Sequence, residues 1–182
     1  LAIVSLAAHH ATPATFAGGV CVALRRGASR GLSLAYSIDT RAAALRLPPE
    51  RCPVRADDLW HTTCMEMFLR PALGGTYAEF NFSPSSAWAA WTFSGYRQGR
   101  ANLELPPPEI VIKRESENVR IAVEILLPDA FAGDDCRVGL SAVIEEQGGC
   151  KSYWALAHPP GDRPDFHDPA CFAASLPARG AP

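Results

Sequence analysis

A chain of 182 residues that is 48% hydrophobic and 20% charged can bury one sizeable core and lies outside the disordered and fibrous compositions. Its 17 basic and 19 acidic side chains, spread along the length for a net charge of -2, supply no basic stripe for counterion-driven binding to DNA or RNA. No apolar run approaches the ~20 residues that cross a bilayer. These features predict one soluble domain over residues 1–182, with neither nucleic acid nor membrane as partner. Cysteines at 21, 52, 64, 136, 150 and 171 include no CxxC pair. The spacing of a zinc ribbon or a thioredoxin-like centre is therefore missing, and mostly buried thiols in a reducing, cytoplasmic compartment are the simpler expectation.

In chain order the dominant signal is period-two alternation, and helical periodicity is nearly absent. LAIVSLAA lacks the basic start of a secretory leader and reads as a strand. LSLAYSI places Leu32, Leu34, Tyr36 and Ile38 on one face and small residues on the other. The prolines of ALRLPPERCPVRADD and ANLELPPPE predict irregular surface connections. In LWHTTCMEMFL, alternation sends Met65, Met67 and Leu69 to the core. EIVIKRESENVRIAVEILLP reads as a hairpin turning at Glu115 to Asn118, with Val119, Ile121, Val123 and Ile125 inward and Arg120 and Glu124 outward. RVGLSAVIEE and SYWALAH form another around Gly148 and Gly149, which supply the positive φ angles of a tight reversal. About eleven strands of ordinary length result, best housed as a sandwich of two antiparallel sheets.

One hairpin carries unusual chemistry: YAEFNFSPSSAWAAWTFSGYRQG, residues 77–99, turning at the Ser83-Pro84 corner. Setting Phe82 opposite Ala89 places Phe80 beside Trp91 and Ala78 beside Phe93, an aromatic patch for the core. The other face then carries Tyr77, Glu79 and Asn81, with Trp88 and Tyr96 farther along. Arg97 is placed to pair with Glu79 or to offer a planar donor fork to a ligand. Rings that cover apolar faces, beside carboxylate, amide and guanidinium groups, make a polar-ligand surface.

Other chemistry has less support. Cys64 or Cys171 with His61, His158 or His167, helped by Asp165, could form a small hydrolytic centre, but no GxSxG, HExxH, Walker or dinucleotide motif accompanies them. His61 with Cys64, or His167 with Cys171, could seed a metal site; a satisfied imidazole near a buried thiol is the commoner arrangement. Trp60 and Trp154 read as partly buried sheet residues or as stacking platforms.

LWHTTCMEMFL, the 77–99 hairpin, GLSAVIEEQGGCKSYWALAHPPG and PDFHDPACF together resemble the bacterial DOMON-like domains related to type 9 carbohydrate-binding modules, and the likeness extends through LSLAYSIDT and ALRLPPE. It implies an immunoglobulin-like or jelly-roll β-sandwich with a noncatalytic role in binding sugar or haem. The group's recurrent positions match Trp60, His61, Thr63, Cys64 and Glu66, then Glu79, Asn81, Ser83 and Pro84, then Trp154, His158, Asp165 and His167. Met65 and Met67 depart from it, standing where aromatic or other apolar residues are expected. The combined expectation is a saccharide or sugar-containing metabolite bound without a cofactor by Trp60, His61, Glu66, Tyr77, Glu79, Asn81, Trp88, Tyr96, Arg97, Trp154, His158, Asp165 and His167. Haem held between methionine and histidine is the main alternative, and a protein-interaction surface built on the exposed aromatics is another.

Overall fold

Alternation becomes strand wherever proline leaves it unbroken. The computed structural model describes residues 2–27 and 29–178, and Leu1, which opens the predicted N-terminal strand, lies outside them. Thirteen strands occur among the described residues: β1 (Ala2–Ala8), β2 (Val20–Arg26), β3 (Gly31–Asp39), β4 (Val54–Arg55), β5 (Cys64–Pro71), β6 (Tyr77–Phe82), β7 (Ala87–Phe93), β8 (Ala101–Asn102), β9 (Glu109–Arg114), β10 (Asn118–Leu126), β11 (Cys136–Glu145), β12 (Lys151–Ala155) and β13 (Ala174–Leu176). One helical turn, α1 (Asp129–Ala132), and three short 3-10 turns complete the chain. Two of the shortest strands, β4 and β8, form inside the connections that the prolines predict to be irregular.

The strands run β4-β7-β6-β5-β11-β12-β1-β2-β3-β10-β9 along one curled path, a half-barrel, with β8 beside β7 and β13 beside β11. All neighbours are antiparallel except β4 and β7. The sheet is therefore mixed rather than wholly antiparallel, because the long excursion from β4 through β5 and β6 returns β7 in the same direction. Strand β1 serves both halves of the path: Ala2 to Leu6 pair with β2, and Ala7 and Ala8 pair with β12.

The interior is filled by the alternate residues the pattern predicts. Leu32, Leu34, Tyr36 and Ile38 meet Val119, Ile121, Val123 and Ile125 across β3 and β10, facing Met65, Met67, Leu69, Phe80 and Phe82. Burying each such side chain contributes roughly 1.5–3 kcal/mol, and Tyr36 spends its one polar atom well, its hydroxyl donating to the Glu66 carbonyl at 2.7 Å. Both methionines are wholly buried packing residues. The two predicted hairpins form as read, with Glu115 N–H on the Asn118 carbonyl at 2.8 Å and both Gly148 and Gly149 at positive φ.

The β6–β7 hairpin differs from its predicted register by one residue. Ser83 N–H bonds the Ala87 carbonyl, Ser86 takes a left-handed φ of 70°, and Phe82 pairs with Trp88 rather than Ala89. A one-residue slip moves every side chain of a strand to the other face. Trp88 therefore joins Phe80 and Phe82 inside, while Trp91 and Phe93 join Tyr77, Glu79 and Asn81 outside. Trp154, predicted as a possible platform, also fills the interior, with its indole N–H on Ser152 Oγ at 2.9 Å. At 5% and 6% exposed, Trp88 and Trp154 have no ring face to offer a ligand.

Candidate functional site

The outer side of β5, β6, β7, β11 and β12 is not solvated sheet. Phe68, Tyr77, Ala89, Trp91, Phe93 and Val143 form a second apolar layer there, capped by Phe166 and Phe172 from the C-terminal loop and by Leu59 from the turn Leu59–His61. Polar side chains sit within this layer because alternation puts Cys64, Glu66 and Phe68 of β5 on the same face as Tyr77, Glu79 and Asn81 of β6. Register sets Glu66 directly between Asn81 and Ser141, with Glu79 one diagonal step away beside Phe68 and Trp91.

A relay of hydrogen bonds enters this layer from the Gly95–Gln98 turn. Arg97 sits at a φ of 53°, and its amide donates to the Tyr77 hydroxyl at 3.2 Å. That hydroxyl also shares a hydrogen bond with His167 Nδ1 at 2.8 Å. The other ring nitrogen, Nε2, lies 3.5 Å from Glu79 Oε2. Glu79 Oε1 in turn accepts from Asn81 Nδ2 at 2.7 Å, and Asn81 Oδ1 accepts from the Cys64 thiol at 3.7 Å. Phe68, Tyr77 and Phe93 surround the imidazole edge-on, with ring centroids 5.0 to 5.9 Å away.

Arg97 is committed elsewhere than the sequence suggests. Its guanidinium holds Asp165 at 2.7 Å rather than Glu79, and Tyr96 donates to the other Asp165 oxygen. Burial opposes ionisation of Asp165, but these donors outweigh it and lower its pKa. The same turn depends on Gly99, at a φ of 62°, where a Cβ would fall 2.2 Å from Ser94 Oγ. Gly99→Ala is therefore expected to cost about 1 kcal/mol or more, read as a lowered midpoint in denaturant unfolding; an unchanged midpoint would show the turn to be relaxed.

Glu66 and Glu79 are 4% and 8% exposed. Burial, then the neighbouring Glu79 carboxyl, pushes Glu66 well above the ordinary carboxylate range; burial likewise raises Glu79, partly offset by Asn81 and by the charges of Arg97 and Arg100. Among the described residues no Lys or Arg reaches ion-pair distance of either carboxyl; the one such neighbour is His167. Burial, assisted by Arg97, lowers His167 to about 4, so it is neutral at physiological pH. Among the described residues, Glu66 has Ser141 Oγ at 3.4 Å as its one side-chain donor, and the buried indole N–H of Trp91, on the same face, has no hydrogen-bond partner. Acceptors and a donor are thus held inside an aromatic layer with their capacity for hydrogen bonding partly unused.

The structure joins Tyr77, Glu79, Asn81, Arg97, Asp165 and His167 into one network, with Tyr96 attached through Asp165, and sets Glu66 beside Asn81 in the strand register but bonded to Ser141 instead. Trp60 and His61 stand on the turn that packs over β5, β6 and β7, with their rings 3.9 Å apart; Trp60 is 45% exposed and free to stack. His158 lies apart, bonding the Ala7 carbonyl at 2.9 Å and meeting His9 edge-on. Trp91 and Tyr153 belong to this face, and the sequence reading did not assign them to it. Burial holds the Cys64 thiol well above its ordinary pKa and pushes Cys171 up to about 12. Neither is the thiolate that nucleophilic chemistry needs. All six cysteines are free.

The sequence matches no protein-family profile and no curated protein. Solved structures share the fold. A candidate carbohydrate-binding protein from Bacteroides uniformis superposes with a TM-score of 0.66 at 16% identity, covering 97% of this chain and 85% of that one. A family 9 carbohydrate-binding module from Caldicellulosiruptor kristjanssonii in complex with glucose gives 0.58 at 9% identity, over 98% of this chain and 86% of that one. A structure of such a module from the same organism with cellotriose gives 0.53 at 9% identity, over 87% and 75%. The chain thus has the fold of a family 9 carbohydrate-binding module.

Proposed function

We propose that the protein is a noncatalytic saccharide-binding domain, a DOMON-like two-layer β-sandwich that takes a sugar or sugar-containing metabolite on the outer face of β5, β6 and β7. The observation that carries the reading is the Glu66 and Glu79 pair, two nearly buried carboxyls without a Lys or Arg partner among the described residues, set beside Asn81 and the unpartnered Trp91 N–H. Sugar hydroxyls donate and accept at the same atom, so a neutral ring suits the part of Glu79 left exposed, where an anion would be repelled, while Glu66 and the Trp91 N–H stay buried beside it. Trp60 offers its exposed ring to the apolar C–H face of the sugar. Arg97, Tyr96, Asp165 and His167 act by positioning, since they fix Tyr77 and Glu79 through bonds to one another. The fold shared with modules bound to glucose and cellotriose supports the same reading.

A glycan thermal-shift screen followed by calorimetry tests it. A neutral mono- or oligosaccharide is expected to raise the melting temperature of the wild type. Glu79→Ala, checked for folding by circular dichroism, is expected to weaken that binding roughly 10- to 100-fold, and Trp60→Ala to weaken it by about tenfold. If no saccharide shifts the wild type, the proposal fails. An absorbance band near the haem Soret region in the purified protein would favour haem instead.

A further inference from the structure

The opposite end of the strand path presents a second face with a regular composition. Outward-pointing residues of β1, β2, β3, β10 and β9 fall into transverse rows, because each strand is paired in register with the next. The middle row is Ile3, Ala23, Ala35, Ala122 and Val111. On one side of it lies the row Ser5, Cys21, Ser37, Arg120 and Lys113; on the other lie Arg25, Ser33, Glu124 and Glu109. Apolar Ile3 and Val111, 70% and 41% exposed, close the ends of an alanine row low enough for close approach. Among the described residues, none of Glu109, Lys113, Arg120 and Glu124 takes part in an ion pair.

We infer that this face is the contact surface of a homodimer, in which two copies meet about a two-fold axis lying along the Ile3–Val111 row. Such a rotation leaves each residue of the middle row opposite its own copy, so Ile3 meets Ile3, Val111 meets Val111 and the alanines meet one another. It also exchanges the flanking rows. Arg120 then faces Glu124 of the second copy, and Lys113 faces Glu109, twice each by symmetry. A self-complementary patch of this kind is what an isologous contact requires, and the charge pattern selects the second copy over an acidic or basic partner. Aligned sheets pack near this orientation, offset by roughly 30°. The patch measures roughly 24 Å by 20 Å, which places the dimer in the small, reversible class. It lies away from the carboxyl face, so dimerisation would leave that face open on both copies and present two sites per particle. The inference does not rest on the saccharide reading.

Sedimentation velocity from about 10 µM to about 500 µM tests it. The wild type is expected to shift from monomer to dimer across that range, and Glu109→Lys with Glu124→Arg to weaken association tenfold or more by setting like charges together. Adding Lys113→Glu and Arg120→Glu, which reverses both facing charge pairs, is expected to restore dimerisation. All four positions are exposed, and circular dichroism checks the fold of each variant. A wild type that stays monomeric throughout, a dimer indifferent to the double reversal, or no recovery on the complete reversal would each overturn the inference.

Discussion

Replacing Glu66 by Gln should raise the melting temperature of the protein by several degrees at about pH 8, a gain of about 1–3 kcal/mol, and leave it nearly unchanged close to pH 4. A carboxyl whose pKa is raised in the fold binds its proton more tightly there than in the unfolded chain. Its contribution to stability is complete below the unfolded value of 4.5 and is lost as the pH climbs through the folded range. Gln reproduces the protonated state and removes that loss. His167 works in the opposite sense, because its value falls from 6.5 to about 4 on folding. Its contribution is present above 6.5 and disappears as the pH drops toward 4. The two slopes oppose each other in the wild type, and Glu66→Gln should expose that of His167 more clearly. An equal change in melting temperature at both pH values, or a loss at the higher one, would show that Glu66 is not strained by burial. The same substitution exchanges an oxygen that can donate and accept for an amide nitrogen that only donates, so greater stability should come with weaker saccharide binding, the usual exchange at a site held in tension.

Glu146→Ala is expected to cost about 2–4 kcal/mol and to release the segment around Phe16. Glu146 is as buried as Glu66, yet its environment is the reverse. Its carboxylate accepts from Thr15, Phe16 and Ala17 amides at 2.7 to 3.0 Å. Burial resists ionisation here too, but these three donors prevail and lower the pKa. Removing the side chain orphans the donors together. Hydrogen exchange should report it: the Thr15, Phe16 and Ala17 amides should lose protection while those of β3 and β10 keep theirs. Protection retained at the three amides would mean that other acceptors or water replace the carboxylate. This group's stabilising effect is lost on acidification below about 4.5, so two equally hidden glutamates should respond to acid in opposite directions.

The contrast also marks what could be read from the sequence. Strands β3 and β10 were legible because their inward residues are large and their outward ones small or charged, so one face alone could be buried. The Gly148-Gly149 reversal was legible because few residues tolerate its φ angles. The register of β6 and β7 was not, because Ala89 and Ala90 fit either face and Phe80, Trp91 and Phe93 are apolar on both. The decision lies in the Ser83–Ser86 corner, where Ser83 Oγ accepts the Ser85 amide and Ser85 Oγ accepts the Ala87 amide. That chemistry closes the turn one residue earlier than the hydrophobic pattern suggests. Glu79 and Asn81 could be picked out as polar residues in an aromatic hairpin, and Glu66 through the resemblance of LWHTTCMEMFL. Their burial could not, since it depends on a C-terminal loop whose docking is fixed by single contacts, Asp165 to Arg97 and His167 to Tyr77. Glu146 gave no signal at all, because an acidic residue at a strand end looks like any solvated one.

The double allegiance of β1 bears on how the molecule is made. Ala7 and Ala8 can pair only with Ala155 and Trp154, which leave the ribosome long after them, whereas β2, β3, β9 and β10 can assemble as soon as each emerges. Until β12 arrives, the upstream end of β1 has its partner and the downstream end has none. Joining the two halves is then a late event that must bring distant stretches of chain together, which places it among the slow steps of synthesis and folding. During that interval Ala7 and Ala8 present an open edge with which a wrong strand can pair.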